Sequence, residues 1–168
     1  MKKNIKNVSG FTLIELLAVI VVLAIVILMA SMAVIPRMNE ARKQVFAMEA
    51  NEAINAASSY FMNGEVTGTG DSFPVTPGGC KSVTIEKLIN NGDFKGKTGY
   101  EGTITVTKIG NGYVYAISMT NGKLAVENAG FTGEGNARKS VDIVADNVHD
   151  KGTTFSEPSC TAPAQSNP

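Results

Sequence analysis

The chain has 168 residues, 43% apolar and 18% charged, enough for one membrane segment plus one modest domain and too apolar for a disordered chain. Fifteen basic residues balance fifteen acidic ones, but Lys2, Lys3 and Lys6 stand in a start that carries no acid. Beyond residue 10, twelve basic residues face fifteen acidic ones, a net of −3, which argues against a general nucleic-acid surface.

Residues 10–35 read GFTLIELLAVIVVLAIVILMASMAVI and hold one acid, Glu15. Leu16–Ala30 is apolar without a break, and Ser31 is the only polar interruption before Ile35. About 20 such residues cross a bilayer core as a helix. The preceding lysines place the N-terminus in the cytoplasm. The remainder then lies outside, where two cysteines can oxidise. Ser31-Met32-Ala33 also fits the cleavage site of a secretory signal, but the run exceeds the usual h-region of about 7–15 residues and carries a carboxylate. An acid at the centre of a span costs about 2.5–3.5 kcal/mol, and less near its start. Glu15 therefore needs a partner.

The segment Gly10-Phe11-Thr12-Leu13-Ile14-Glu15-Leu16 resembles the processing site of type IV pilins and their pilin-like relatives. The resemblance covers residues 1–61 and is strongest over 10–35. It implies that residues 1–10 are a leader and that prepilin peptidase cuts after Gly10. Phe11 would then be the new, N-methylated terminus. Glu15 would meet the N-terminal amine of a neighbouring subunit during assembly. A free α-amine has a pKa of about 7.7–8.0 and is cationic at pH 7. Two opposite charges stranded in lipid each lower the other's cost. Within one helix residue 11 is also a turn away from residue 15, so an intramolecular contact is a second option. A Glu15 that snorkels to headgroups is a third. The chain departs from many type IV pilins in having no Gly from Phe11 to Ile35. Its Pro36 comes 25 residues after Phe11, later than is common. Pro36 should kink the rod near Met32–Ile35, because proline removes a donor and crowds the preceding turn.

Past Pro36 the helical pattern continues. Arg37, Glu40, Arg42, Lys43 and Glu49 form a polar side. Val45, Phe46, Ala50, Ala53, Ile54, Ala57 and Phe61 recur at spacings of three and four, an amphipathic stripe that needs covering. The pattern predicts an end near Asn63-Gly64. A continuous helix from Phe11 to Phe61 would run about 75 Å. Two separate helices divided at Pro36 are the alternative. Gly, Thr and Pro make 64–81 a loop, and Val83–Asn90 reads as a short helix closed by Asn91-Gly92.

Then the period becomes two. Thr103–Thr107, Tyr113–Met119 and Lys123–Val126 are separated by Gly110-Asn111-Gly112 and Asn121-Gly122, which predicts an antiparallel three-stranded meander. One face should pack on the outer half of the helix and the Thr-rich face should meet water. Ser140–Val148 fits a strand or a short helix, and the chain after Cys160 reads as frayed.

Cys80 and Cys160 resemble the disulfide that ties down the C-terminal region of many pilins. Independently, two cysteines in an exported domain favour one bond, with free thiols or a bond between subunits as alternatives. The expected fold class is α+β. A long helical rod, with a transmembrane half (11–36) and an amphipathic half (37–63), packs on a small antiparallel head (64–168).

No catalytic constellation is present. His149 stands alone beside Asp146 and Asp150, and neither a phosphate loop nor a G-x-S-x-G motif occurs. The resemblance to secretion pseudopilins, which often rely on calcium bound near the C-terminus, makes Asp142, Asp146 and Asp150 candidate ligands, but their i, i+4, i+8 spacing is that of one helix face and no EF-hand-like loop is present. The chain therefore reads as a non-enzyme without metal or cofactor. The resemblance implies a structural subunit of a type IV pilus or pilus-like filament. A pseudopilin of type II secretion and a competence pilin are the alternatives. Implied partners are further copies of the chain, minor pilins, prepilin peptidase, an assembly platform and membrane lipid before assembly. The implied destination is the inner membrane, then an extracellular filament. Nucleic acid is left open, with Arg138-Lys139 as its only local basic pair.

Overall fold

A computed structural model describes residues 11–68, 71–95, 99–134, 137–152, 154–158 and 160, the side chain of Ala33 apart. The leader with Gly10, and the tail beyond Cys160 that was expected to fray, lie outside the described residues. The chain divides into two compact units, Met1–Glu40 and Ala41–Pro168. One helix, α1 (Leu13–Thr67), contains Pro36 and is not split there into two.

In the second unit, α1 buries a stripe along Phe46, Ala50, Ala53, Ala57 and Phe61. Ala47, Ala56 and Tyr60 widen it, and Ile54 is partly buried. Val45 departs from expectation and is 55% exposed. Each residue turns the helix by about 100°, so Val45 and Ala47 lie on opposite sides of Phe46. The Ala47 side is the one that is covered. Alanines at 47, 50, 53, 56 and 57 line the buried side of α1, and Phe46, Tyr60 and Phe61 supply the bulk of its contribution to the same core.

The helix also outlasts the predicted stop at Asn63-Gly64, ending at Thr67 with Gly68 in the left-handed region at φ 66°. Gly64 is instead a buried helical position. A Cβ there would collide with the Asp71 carbonyl, so Gly64 admits the loop that folds back over α1. That loop is pinned where the Tyr60 hydroxyl donates to Asp71 (2.9 Å) and Lys87 Nζ donates to the same oxygen (2.9 Å). The Lys87 ammonium, with the Tyr60 hydroxyl, holds the Asp71 carboxyl below the usual carboxylate range.

The strands are β1 (Cys80–Thr84), β2 (Glu101–Ile109), β3 (Gly112–Thr120), β4 (Leu124–Ala129), β5 (Phe131–Thr132), β6 (Lys139–Ser140) and β7 (His149–Asp150). The expected meander is present as β2-β3-β4, but it sits inside a five-stranded antiparallel sheet of order β1-β2-β3-β4-β7. Strand β1 takes residues expected in the loop and also Val83, so the short helix, α2 (Ile85–Asn91), starts two residues late. Its Thr84 cap accepts from Lys87 N at 3.3 Å, and Gly92 closes it. The β3–β4 turn is held by Asn121 Oδ1, which accepts from the amides of Lys123 and Leu124.

One sheet face carries Val83, Ile104, Val106, Ile117, Met119 and Val126 into the core with α1. The opposite face corrects the sequence reading. Thr103, Thr105, Ser118 and Thr120 are buried rather than wet. The C-terminal stretch leaves β7 at one edge of the sheet, and Cys160 is bonded to Cys80 on β1 at the other edge. On the way Glu157 accepts a hydrogen bond from Thr103 of β2, and Pro158 is buried. The covered hydroxyls find main-chain partners: Thr105 donates to Ala116 O, Thr120 donates to Leu124 O and Ser118 accepts from Asn128 N. Ser140–Val148 is neither strand nor helix throughout. It holds the last residue of β6, a run without regular structure and a 3-10 turn at Ala145–Asn147.

Candidate assembly site at the start of the long helix

Among its described residues, the first unit is helical from Leu13 on and buries none of its large apolar side chains. From Leu13 to Ile35 its large apolar side chains are all exposed, and the most apolar window has a mean hydropathy of 3.2 with none of it buried. A helix apolar on every side belongs in a membrane or among other apolar helices. Its one polar break satisfies itself, since Ser31 Oγ donates to Ile27 O at 2.7 Å.

Glu15 sits in the first turn. Its Oε2 accepts from Thr12 N (2.8 Å) and from Thr12 Oγ1 (2.9 Å), while the Glu15 amide donates back to Thr12 Oγ1 (3.3 Å). This is a capping box, T-x-x-E, which satisfies orphan donors at the helix start reciprocally. The carboxylate is thereby aimed at the positive end of the helix. Before cleavage the in-chain contact of Glu15 is with Thr12. Thr12 is a functional candidate that reading the chain for charge passes over, although the T-x-x-E spacing signals it.

Both bonds land on Oε2, so Oε1 takes neither and is the oxygen on which a cation can act. Phe11 precedes the helix and is 90% exposed. Its nitrogen becomes an α-amine only when the bond after residue 10 is cut. Gly10 lies outside the described residues, and Pro36 lies inside α1.

The remaining candidates are all in the second unit. Cys80 and Cys160 are joined, with Cα atoms 5.5 Å apart and a separation of 80 positions in sequence. His149 on β7 contacts Glu127 at 3.5 Å. Asp142, Asp146 and Asp150 do not share a helix face, because that segment is not a helix. Among the described residues no three of His, Cys, Asp and Glu come together. Arg138 lies over the Phe131 ring at 4.8 Å, and Lys139 belongs to β6.

Residues 5–31 match the family described as the prokaryotic N-terminal methylation motif, the type IV prepilin-like signal. No curated protein and no solved structure matches the chain. The motif supports a pilin-like or pseudopilin-like subunit rather than an enzyme. It implies processing by prepilin peptidase and assembly into a filament, and with the long apolar helix it fits anchoring in the membrane beforehand.

Proposed function

We propose that this chain, which carries the prokaryotic N-terminal methylation motif, is a structural subunit of a type IV pilus or pilus-like extracellular filament. The observation that carries the reading is the 13–35 stretch of α1, apolar all round, whose single acid stands capped at its start. Prepilin peptidase cuts after Gly10 and methylates Phe11. The new amine of one subunit then meets Glu15 of a neighbour at Oε1, while Thr12 keeps hold of Oε2. Pairing makes both charges tolerable in an apolar setting. The side chains of 13–35 exchange lipid for neighbouring helices. Because lipid already solvates them, packing and the charge pair supply the specificity of that exchange. Pro36 leaves the carbonyl one turn before it without its helical donor and bends the rod there.

Mass spectrometry of filaments tests the processing step. The mature chain should start at a methylated Phe11, and a bulky residue at Gly10 should leave an uncut precursor in the membrane. A mature chain starting at residue 34, or working material that still starts at Met1, defeats the reading.

A further inference from the structure

Within the second unit, a surface groove of about 490 Å³ opens between α1, Tyr115 of β3, Gly130 and the Ser140–Asp142 segment. Asn55, Ser58, Tyr115, Ser140 and Asp142 supply polar groups along it, and Ile54 and Val141 supply apolar patches. Its size falls in the range of about 300–1,000 Å³ typical of small-ligand sites. One rim is fixed rather than loose. The Asn51 side chain donates to Ile143 O (2.8 Å) and accepts from Ile143 N (2.9 Å), clamping the 141–143 segment onto α1. Val141 N donates to Gly130 O at 3.0 Å, and Ser140 pairs with Phe131.

These bonds limit the occupant. The rim's main chain is paired at Ser140, at Val141 N and at Ile143, which leaves an extended peptide little of a ladder to join. Recognition has to run through side chains. No cationic side chain lines the groove among the described residues, which disfavours phosphates and other anions. What remains is an amide at Asn55 and a carboxylate at Asp142, neither of them engaged by another described side chain, with hydroxyls and a tyrosine ring beside them. An amide both donates and accepts, and a carboxylate accepts two bonds at once. That set matches neighbouring hydroxyls on a ring whose C–H face rests on apolar side chains. We propose that this groove binds an uncharged pyranose sugar, with Asn55 and Asp142 holding adjacent hydroxyls against the Tyr115 and Ile54 wall. Repetition of one groove per subunit would give a filament avidity for a polysaccharide even if each site is weak.

The test uses the mature full chain in a zwitterionic detergent that contains no sugar, so that filament assembly is not required. Saturation-transfer NMR is run with glucose, galactose and N-acetylglucosamine as probes. At least one should receive magnetisation. Asn55→Ala and Asp142→Ala should each weaken its binding about tenfold or more, the effect of losing one well-placed polar contact. Glu65→Ala, outside the groove, should leave it unchanged. No transfer to any of the three sugars overturns the proposal, as does transfer that survives both groove substitutions. Both replaced side chains are exposed, so folding should hold. Should a variant melt early, amide shifts of the parent chain decide: sugar-dependent shifts at Tyr115 and Ser140 support the site, and their absence overturns it.

Discussion

Glu15 does two things that can be separated by substitution. It completes the Thr12 cap, and it carries a negative charge at the start of an apolar helix. Glu15→Gln keeps the first, since Gln serves equally at this position of a capping box. It deletes the second. At about 4 Å and an effective dielectric near 20, an ammonium–carboxylate pair is worth about 4 kcal/mol, so its loss lowers the equilibrium for adding a subunit roughly a thousandfold. Thr12→Val does the reverse. It removes the hydroxyl that gives to Oε2 at 2.9 Å and takes from the Glu15 amide at 3.3 Å, but leaves the 2.8 Å main-chain bond and the charge in place. Losing such a cap costs about 0.5–2 kcal/mol. The assay is the yield of sheared filaments, read against the level of processed subunit in the membrane. Glu15→Gln should abolish filaments while processing continues, and Thr12→Val should reduce but retain them. Wild-type yield from Glu15→Gln would refute the charge-pairing reasoning. Equal and complete loss from both variants would show that the cap and the charge are not separable.

Two further outcomes follow from the second unit. Tyr100 stacks on Phe46, meets Phe94 edge-on, and donates to Glu49 at 2.6 Å. Tyr100→Phe keeps the rings and strands a partly buried carboxylate, costing about 1.5–3 kcal/mol in thermal or denaturant unfolding at pH 7. Burial, with Glu49, pushes the Tyr100 phenol up from 10.0 to about 12. A raised pKa means that this contribution is intact below about pH 10 and is lost as pH rises through 12, so the gap between parent and variant should close over that window. A gap that persists at pH 12 would contradict this. Cys160→Ser opens an 80-residue loop and should destabilise the chain by up to about 4 kcal/mol. It should also expose the C-terminal stretch to limited proteolysis at Lys151 before the sheet is cut. Unchanged cleavage kinetics would mean that the stretch is held without the bond.

The apolar helix, its lone acid and the three-stranded meander were legible because each rests on local rules: run length, residue spacing and Asn-Gly turns. Even the Thr12 cap is a local signal, written in four consecutive residues. The end of α1 was misplaced because Asn-Gly usually stops a helix. Here the Asp71 loop folds back onto the helix and needs the bare Cα of Gly64, while Gly68 makes the stop. Tertiary structure alone decided that the threonine face is covered. Alternating Thr residues look the same whether water or a strap lies over them, and here the strap is held by the Glu157–Thr103 bond and by the Cys160–Cys80 link. The same holds for Val45 against Ala47. Periodicity located the stripe to within a residue or so, and packing against residues far along the chain chose which flank was buried. The polar groove combines residues of α1 with a segment some 90 positions away, held by the two Asn51–Ile143 bonds. Such pairings carry no short-range pattern, because their stability comes from contacts that exist only after the chain has folded.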